Sequence, residues 1–120
     1  KGGDVYPTAG VDSSGSGGGA TITSGYQHSS SYADWKAFDN STGSGWWTLS
    51  LSNANLNYIQ MELTGGAQTI QSVRVQTNTT FTYADYVQIL GSNTGNFSGE
   101  EVLCGTASGI AGTADVYINI

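Results

Sequence analysis

His28 is the only histidine in the chain, and it stands beside Ser29, Ser30 and Ser31. A hydroxyl nucleophile needs a base and an orienting acid gathered in space, and no Gly-x-Ser-x-Gly turn presents one here. The adjacent carboxylates Glu100 and Glu101 would point to opposite faces of a strand, so they read as a solvated strand end rather than an acid/base pair. Gly15-Ser16-Gly17-Gly18-Gly19-Ala20 satisfies a dinucleotide-binding pattern in letters only, because Thr21-Ile22-Thr23 is no helix start. Asp12-x-Ser14-x-Ser16-Gly17 imitates the opening of a calcium loop, yet Thr23 occupies the twelfth position, where a bidentate Glu is required. The lone Cys104 has no cysteine partner and no Cys/His cluster around it. An enzyme is not expected.

The charge balance narrows the partners. With Lys+Arg 3 against Asp+Glu 9, the formal net charge is −6. So few cations make neither a nucleic-acid footprint nor a polybasic lipid anchor. No apolar run approaches the roughly 18–20 residues of a membrane span, and no signal-peptide core is visible. Neither nucleic acid nor membrane insertion is expected. Lys at position 1 reads as a processed or excised piece. The length of 120 residues, with 38% hydrophobic positions, suits one domain with a real core. The polar, uncharged, Gly/Ser/Thr/Asn-rich composition points to an extracellular, cell-surface or virion-surface protein.

The positioning elements read mostly as strands. Residues 1–19 form an extended, flexible lead-in that includes the Gly/Ser loop 13–19, a stretch expected to hold no regular structure. Residues 20–120 form the folded body, beginning with a short strand at Ala20-Thr21-Ile22-Thr23. From residue 58 the period is two: Ile59, Met61 and Leu63, then Val73 and Val75, Val87 and Ile89, and Val116, Ile118 and Ile120 alternate with polar neighbours. Such alternation predicts half-buried antiparallel strands. Thr64-Gly65-Gly66, residues 91–95 and residues 105–112 supply the turns. Only Tyr32, Trp35 and Phe38 have helical spacing, enough for a turn or two. Short strands at this spacing predict a β-sandwich or barrel.

Residues 32–47 read Tyr-Ala-Asp-Trp-Lys-Ala-Phe-Asp-Asn-Ser-Thr-Gly-Ser-Gly-Trp-Trp. This segment resembles the hallmark of the discoidin family, also called coagulation-factor type C or galactose-binding-like domains, whose pattern is Ala-Phe-Asp-Gly-Asn-Thr-x-Thr-x-Trp. Ala37, Phe38, Asp39, Thr42 and Trp46 match, while Asn40, Ser41 and Ser44 stand for Gly, Asn and Thr. Downstream, Tyr58-Ile59-Gln60-Met61-Glu62-Leu63, residues 69–75 and residues 86–95 resemble the family's following strands, in the same order. The likeness runs from about residue 6 to residue 120. It implies an all-β, antiparallel, jelly-roll-like β-sandwich with Phe38 and Trp46 plugging its base. It also implies a structural calcium ion held by the Asp39 carboxylate, carbonyls near Ala37 and Ser41, and Ser44; the plainer alternative is that Asp39 only caps its own turn. The family's last, acidic strand has no counterpart after Ile120, so either a longer parent chain or a neighbouring chain would complete the sheet.

Sugar-binding relatives place a His, an Arg and an aromatic on loops at one end of the sandwich. His28 lies in the corresponding loop, whereas Arg74 lies within a strand segment. A neutral sugar needs a stacking aromatic and a few polar fixings, which leaves His28, Trp47, Tyr83 and Phe97 as candidates. Their plainer alternatives are a core-covering rim for Trp47 and a solvated loop position for His28. Three sequons begin at Asn40, Asn78 and Asn96 and matter only in a secreting eukaryote. The expected function is therefore non-catalytic recognition of a cell-surface or matrix glycan by a fibre, adhesin or secreted protein. The competing expectation is a structural unit of a virion or extracellular filament with no small ligand.

Overall fold

A computed structural model describes residues 5–41, 43, 45–46, 54–77, 86–110 and 114–120. The chain divides into two compact units, Lys1–Gly66 and Ala67–Ile120, a division that falls inside the segment 20–120. The described residues are all-β: small antiparallel sheets with short 3-10 turns and little other helix. No helix among them is long and apolar enough to cross a membrane.

In the first unit, β1 (Ser16–Gly17), β2 (Ala20–Ser24) and β3 (Ile59–Leu63) form one antiparallel sheet in that order. Ile22 pairs with Met61 and Ala20 with Leu63. Period two places Ala20 and Ile22 inward while Thr23 faces water. The core is Val11, Ala20 and Ile22, with Trp35, Phe38, Ile59 and Met61 packed on it. Burying an isoleucine of this kind contributes about 1.5–3 kcal/mol. Phe38 is thus a packing residue, and Trp46 is half-buried with its indole Nε1 donating to the Tyr26 carbonyl at 2.9 Å.

The glycine-rich stretch differs from expectation. Residues 13–19 are built into a hairpin, with Ser16 opposite Thr21 and Gly17 opposite Ala20. Ile22 N–H donates to the Gly15 carbonyl at 2.8 Å, and Thr8 N–H donates to Gly18 at 2.8 Å. A composition that looks like a linker is here selected for close backbone approach: Gly18 adopts φ +57 against the main chain of Thr8 and Ala9.

Residues 34–41 form a tight corner. The 3-10 helix Asp34–Phe38 ends at Asp39, and Val11 N–H donates to the Phe38 carbonyl at 2.9 Å. Asn40 then turns left-handed at φ 62, a region that asparagine enters more readily than most L residues. Replacing it with Gly should leave stability within about 0.5 kcal/mol, whereas Asn40→Val should lose about 1–2 kcal/mol. Urea titration of both variants checks this, and equal midpoints would contradict the strain argument.

In the second unit, β4 (Ser72–Gln76) pairs with β7 (Asp115–Asn119), and β5 (Tyr86–Gly91) pairs with β6 (Val102–Ser108). Val73, Val75, Val116 and Ile118 turn to the sheltered face of their ribbon. Its exposed face carries Arg74, whose Nε and one Nη donate to Asp115 at 2.8 and 2.7 Å and which lies over the Tyr117 ring. Arg74 holds the Asp115 carboxyl below its ordinary range, yet a solvent-exposed pair of this type adds little stability.

The strand β6 runs through Gly105, where the sequence suggested a turn spanning 105–112. Ile118 of β7 explains it. A Cβ on Gly105 would stand 2.9 Å from the Ile118 Cγ2 and 3.1 Å from the Asn119 carbonyl. The glycine is therefore a packing gap inside a strand.

Candidate functional site

The first unit carries the site geometry, between β2 and the corner. The chain leaves β2 at Gly25, whose N–H donates to the Tyr58 carbonyl at 3.1 Å. It then passes through Tyr26, Gln27 and His28 into the 3-10 helix Ser30–Tyr32. Trp46 fixes this loop from the far end through the Tyr26 carbonyl.

Asp34 organises the next turn. Its Oδ1 accepts the Trp35 N–H at 2.7 Å, and its Oδ2 accepts the Ser24 hydroxyl at 2.9 Å. The Asp34 N–H in turn donates to Gln27 Oε1 at 3.3 Å. One residue thereby links β2, the loop and the 3-10 helix, its carboxylate reaching β2 and the helix and its N–H the loop. Lys36 Nζ donates to the Ser31 carbonyl at 2.9 Å and stands 5.5 Å from the Trp35 ring centroid, a cation–π distance.

Between this loop and the glycine hairpin opens a cleft of about 510 Å³. Ile22, Ala33 and Trp35 form its apolar lining, while Gln27, Ser30 and Asp34 are prominent among its polar lining. Ile22 and Ala33 are buried and Trp35 half-buried, so the apolar surface is anchored in the core. An indole beside amide, hydroxyl and carboxylate groups can receive a ligand with one apolar and one hydroxylated face.

Of the sequence-predicted sugar contacts, the two described ones, His28 and Phe97, fall elsewhere. His28 is exposed, with its ring 6.0 Å from that of Tyr32, and it does not line the cleft. Phe97 belongs to the second unit, half-buried in the loop after β5 and left-handed at φ 48. That loop is organised by Glu100, whose Oε1 accepts the hydroxyls of Ser92 and Thr94. These bonds, Ser92 foremost, hold the Glu100 carboxyl below its ordinary range. Trp47 and Tyr83 lie outside the described residues.

Of the suggested calcium ligands, Ala37, Asp39 and Ser41 share the corner, and Ser44 lies outside the described residues. Asp39 Oδ1 accepts the Ser41 N–H at 2.9 Å, and Ser41 Oγ accepts the Gly43 N–H at 3.2 Å. The side chains thus cap their own turn. No group of three or more His, Cys, Asp or Glu gathers among the described residues.

Sequence reasoning did not assign a binding role to Gln27, Ser30 or Asp34. The one signal that pointed towards them was the helical spacing of Tyr32, Trp35 and Phe38, which places Asp34 at the start of a turn. Comparison of the chain with protein-family models, with curated proteins and with solved structures gives no match.

Proposed function

We propose that this chain is a discoidin-like β-sandwich acting as a non-catalytic recognition module for carbohydrate on a cell or matrix surface. In this reading it is displayed outside the cell, or on a virion, by a fibre, adhesin or secreted protein. The observation that carries the reading is the row of loop side chains after β2. An exposed imidazole, a half-buried indole and several amide and hydroxyl groups stand on a rigid antiparallel support. Binding groups on loops held by sheets are the usual division of labour in such domains.

His28, Trp47, Tyr83 and Phe97 remain the candidate contacts of this reading. Its accompanying calcium ion would draw on Asp39, the carbonyls of Ala37 and Ser41, and Ser44. The all-oxygen donor set suits a hard cation. The left-handed Asn40 also supports the resemblance, because it adopts a conformation that glycine, the family's residue at this place, takes without strain.

The test is a glycan array probed with the whole chain, with calcium and with a chelator. Selective binding to a subset of uncharged glycans is expected, and background signal in both conditions would end the reading.

A structural role without a small ligand is the second reading, and one observation favours it. Leu90, Val102 and Leu103 lie exposed at one end of the β5–β6 ribbon, with Leu90 directly opposite Leu103. Exposed aliphatic pairs on a ribbon suit association with another surface, including a second copy of the chain. Concentration-dependent oligomers in light scattering, together with a silent array, would favour this reading.

A further inference from the structure

We propose that the cleft between the glycine hairpin and residues 27–36 is a subsite for an uncharged pyranose ring, distinct from His28 and Phe97. The proposal rests on the carbohydrate reading and names the place and the ligand class within it. Three observations carry it.

The first is the cleft's two-sided chemistry. A pyranose has an apolar patch of axial C–H groups and an equatorial fringe of hydroxyls. Here the half-buried Trp35 offers the apolar surface, backed by the buried Ile22 and Ala33, and Gln27, Ser30 and Asp34 offer a polar margin. A cleft of about 510 Å³ lies within the range of small-ligand sites, roughly 300–1,000 Å³. It opens widely to solvent, so a sugar ring would rest on it by one face.

The second is preorganisation. The Asp34 carboxylate is aimed by the Ser24 hydroxyl and the Trp35 N–H, each taking one oxygen. Each carboxylate oxygen retains a lone pair for a ligand hydroxyl. Gln27 is held through its Oε1 by the Asp34 N–H, so its amide –NH₂ faces the task of donation. Groups already fixed before binding lose little rotamer freedom when a ligand arrives.

The third is charge. Asp34 and Lys36 are the charged residues of the lining, and they cancel. The chain around them carries a net charge of −6. An anionic sugar would meet a carboxylate and an acidic molecule, with Lys36 already committed to the Ser31 carbonyl and the Trp35 ring. A cationic sugar would be drawn by Asp34 but would have to stack on the Trp35 ring beside the Lys36 ammonium. An uncharged ring meets neither repulsion.

The experiment uses the 120-residue chain labelled with ¹⁵N and titrated with millimolar sugars. Methyl galactoside, methyl glucoside and N-acetylglucosamine are the uncharged probes; glucuronate and glucosamine are their charged counterparts. Trp35→Phe assigns the Trp35 indole resonance. Uncharged probes are expected to move the Trp35 indole N–H and the Gln27 side-chain amide, and charged ones to move them much less. Gln27→Ala and Asp34→Asn are each expected to weaken the responsive sugar about tenfold, the usual effect of losing a hydrogen bond to a sugar hydroxyl at such a site.

Shifts confined to His28, Phe97, Trp47 or Tyr83 would overturn the cleft assignment and leave carbohydrate binding standing. Glycan-array binding with no movement at Trp35 or Gln27 would do the same. Equal response to glucuronate would overturn the ligand class. A silent array together with a spectrum unmoved by every sugar would remove both this site and the function it rests on. The wild-type titration decides the matter even where a variant fails to fold.

Discussion

Gly18→Ala should destabilise the first unit by about 2–5 kcal/mol, and Gly19→Ala, one residue on, by only about 1–2 kcal/mol. Both glycines are left-handed, at φ +57 and φ +78, so each alanine meets the strain of that region, about 1–2 kcal/mol. The difference between them is steric. A Cβ on Gly18 would lie 2.4 Å from the Ala9 nitrogen, 2.6 Å from its carbonyl oxygen and 2.7 Å from the Thr8 nitrogen, all main-chain atoms. A Cβ on Gly19 meets nothing within 4 Å.

Relief at Gly18 requires moving the hairpin off the 8–9 segment. That motion breaks the bonds from the Thr8 N–H and hydroxyl to the Gly18 carbonyl. Overpacking of this kind adds about 1–3 kcal/mol to the backbone strain. Tryptophan fluorescence in urea is a suitable readout, because Trp35, Trp46 and Trp47 all belong to the first unit. Indistinguishable midpoints for the two variants would mean that the hairpin does not seat on residues 8–9.

This same hairpin marks a boundary of what the sequence makes legible. Strands β2, β3, β4, β5 and β7 coincide with segments whose apolar residues alternate, such as Ile59, Met61 and Leu63 or Val116 and Ile118. Alternation is a local property, written into each strand by the face it buries. The hairpin at 13–19 has no such pattern, since its structure comes from bonds to Thr8 and from pairing with β2. Strand β6 is hidden for a related reason. Its residues Val102, Leu103, Cys104 and Gly105 do not alternate, because a register shift at Ile89/Leu90 interrupts the pairing. Its glycine makes room for Ile118 rather than for a turn.

The corner at 37–41 was legible in part. Asp39 and Asn40 are residue types that cap and enter left-handed turns, and both do so. The cleft was not legible, because it exists only where residues 13–15 meet residues 27–36. No spacing along the chain encodes that approach. Trp35 shows the consequence: its helical spacing with Phe38 identifies a packing residue, while its place in the cleft depends on a neighbour twenty positions away.

Ile22→Ala should have the largest effect of a single truncation in the first unit, about 2–5 kcal/mol, with Ile22→Val at about 0.5–1.5 kcal/mol. Ile22 is only 4% exposed, stands opposite Met61 in the sheet, and touches the cluster of Val11, Ala20, Trp35, Phe38 and Ile59. Truncation to alanine removes the packing partner of several side chains at once. The sheet cannot close over the gap, because β1 and β3 hold β2 from both sides. For a unit of this size a urea slope near 1 kcal/mol/M is expected, so the midpoint should fall by roughly 2 M or more. The same residue lines the cleft, which ties stability to the proposed recognition through one side chain. Ile22→Val keeps most of the volume, and its response to uncharged sugars should stay within about threefold of wild type once corrected for the folded fraction. If Ile22→Ala matched Ile22→Val in midpoint, the three-residue core would not be what holds the loop after β2 in place, and the indole beneath the cleft would lose its anchor.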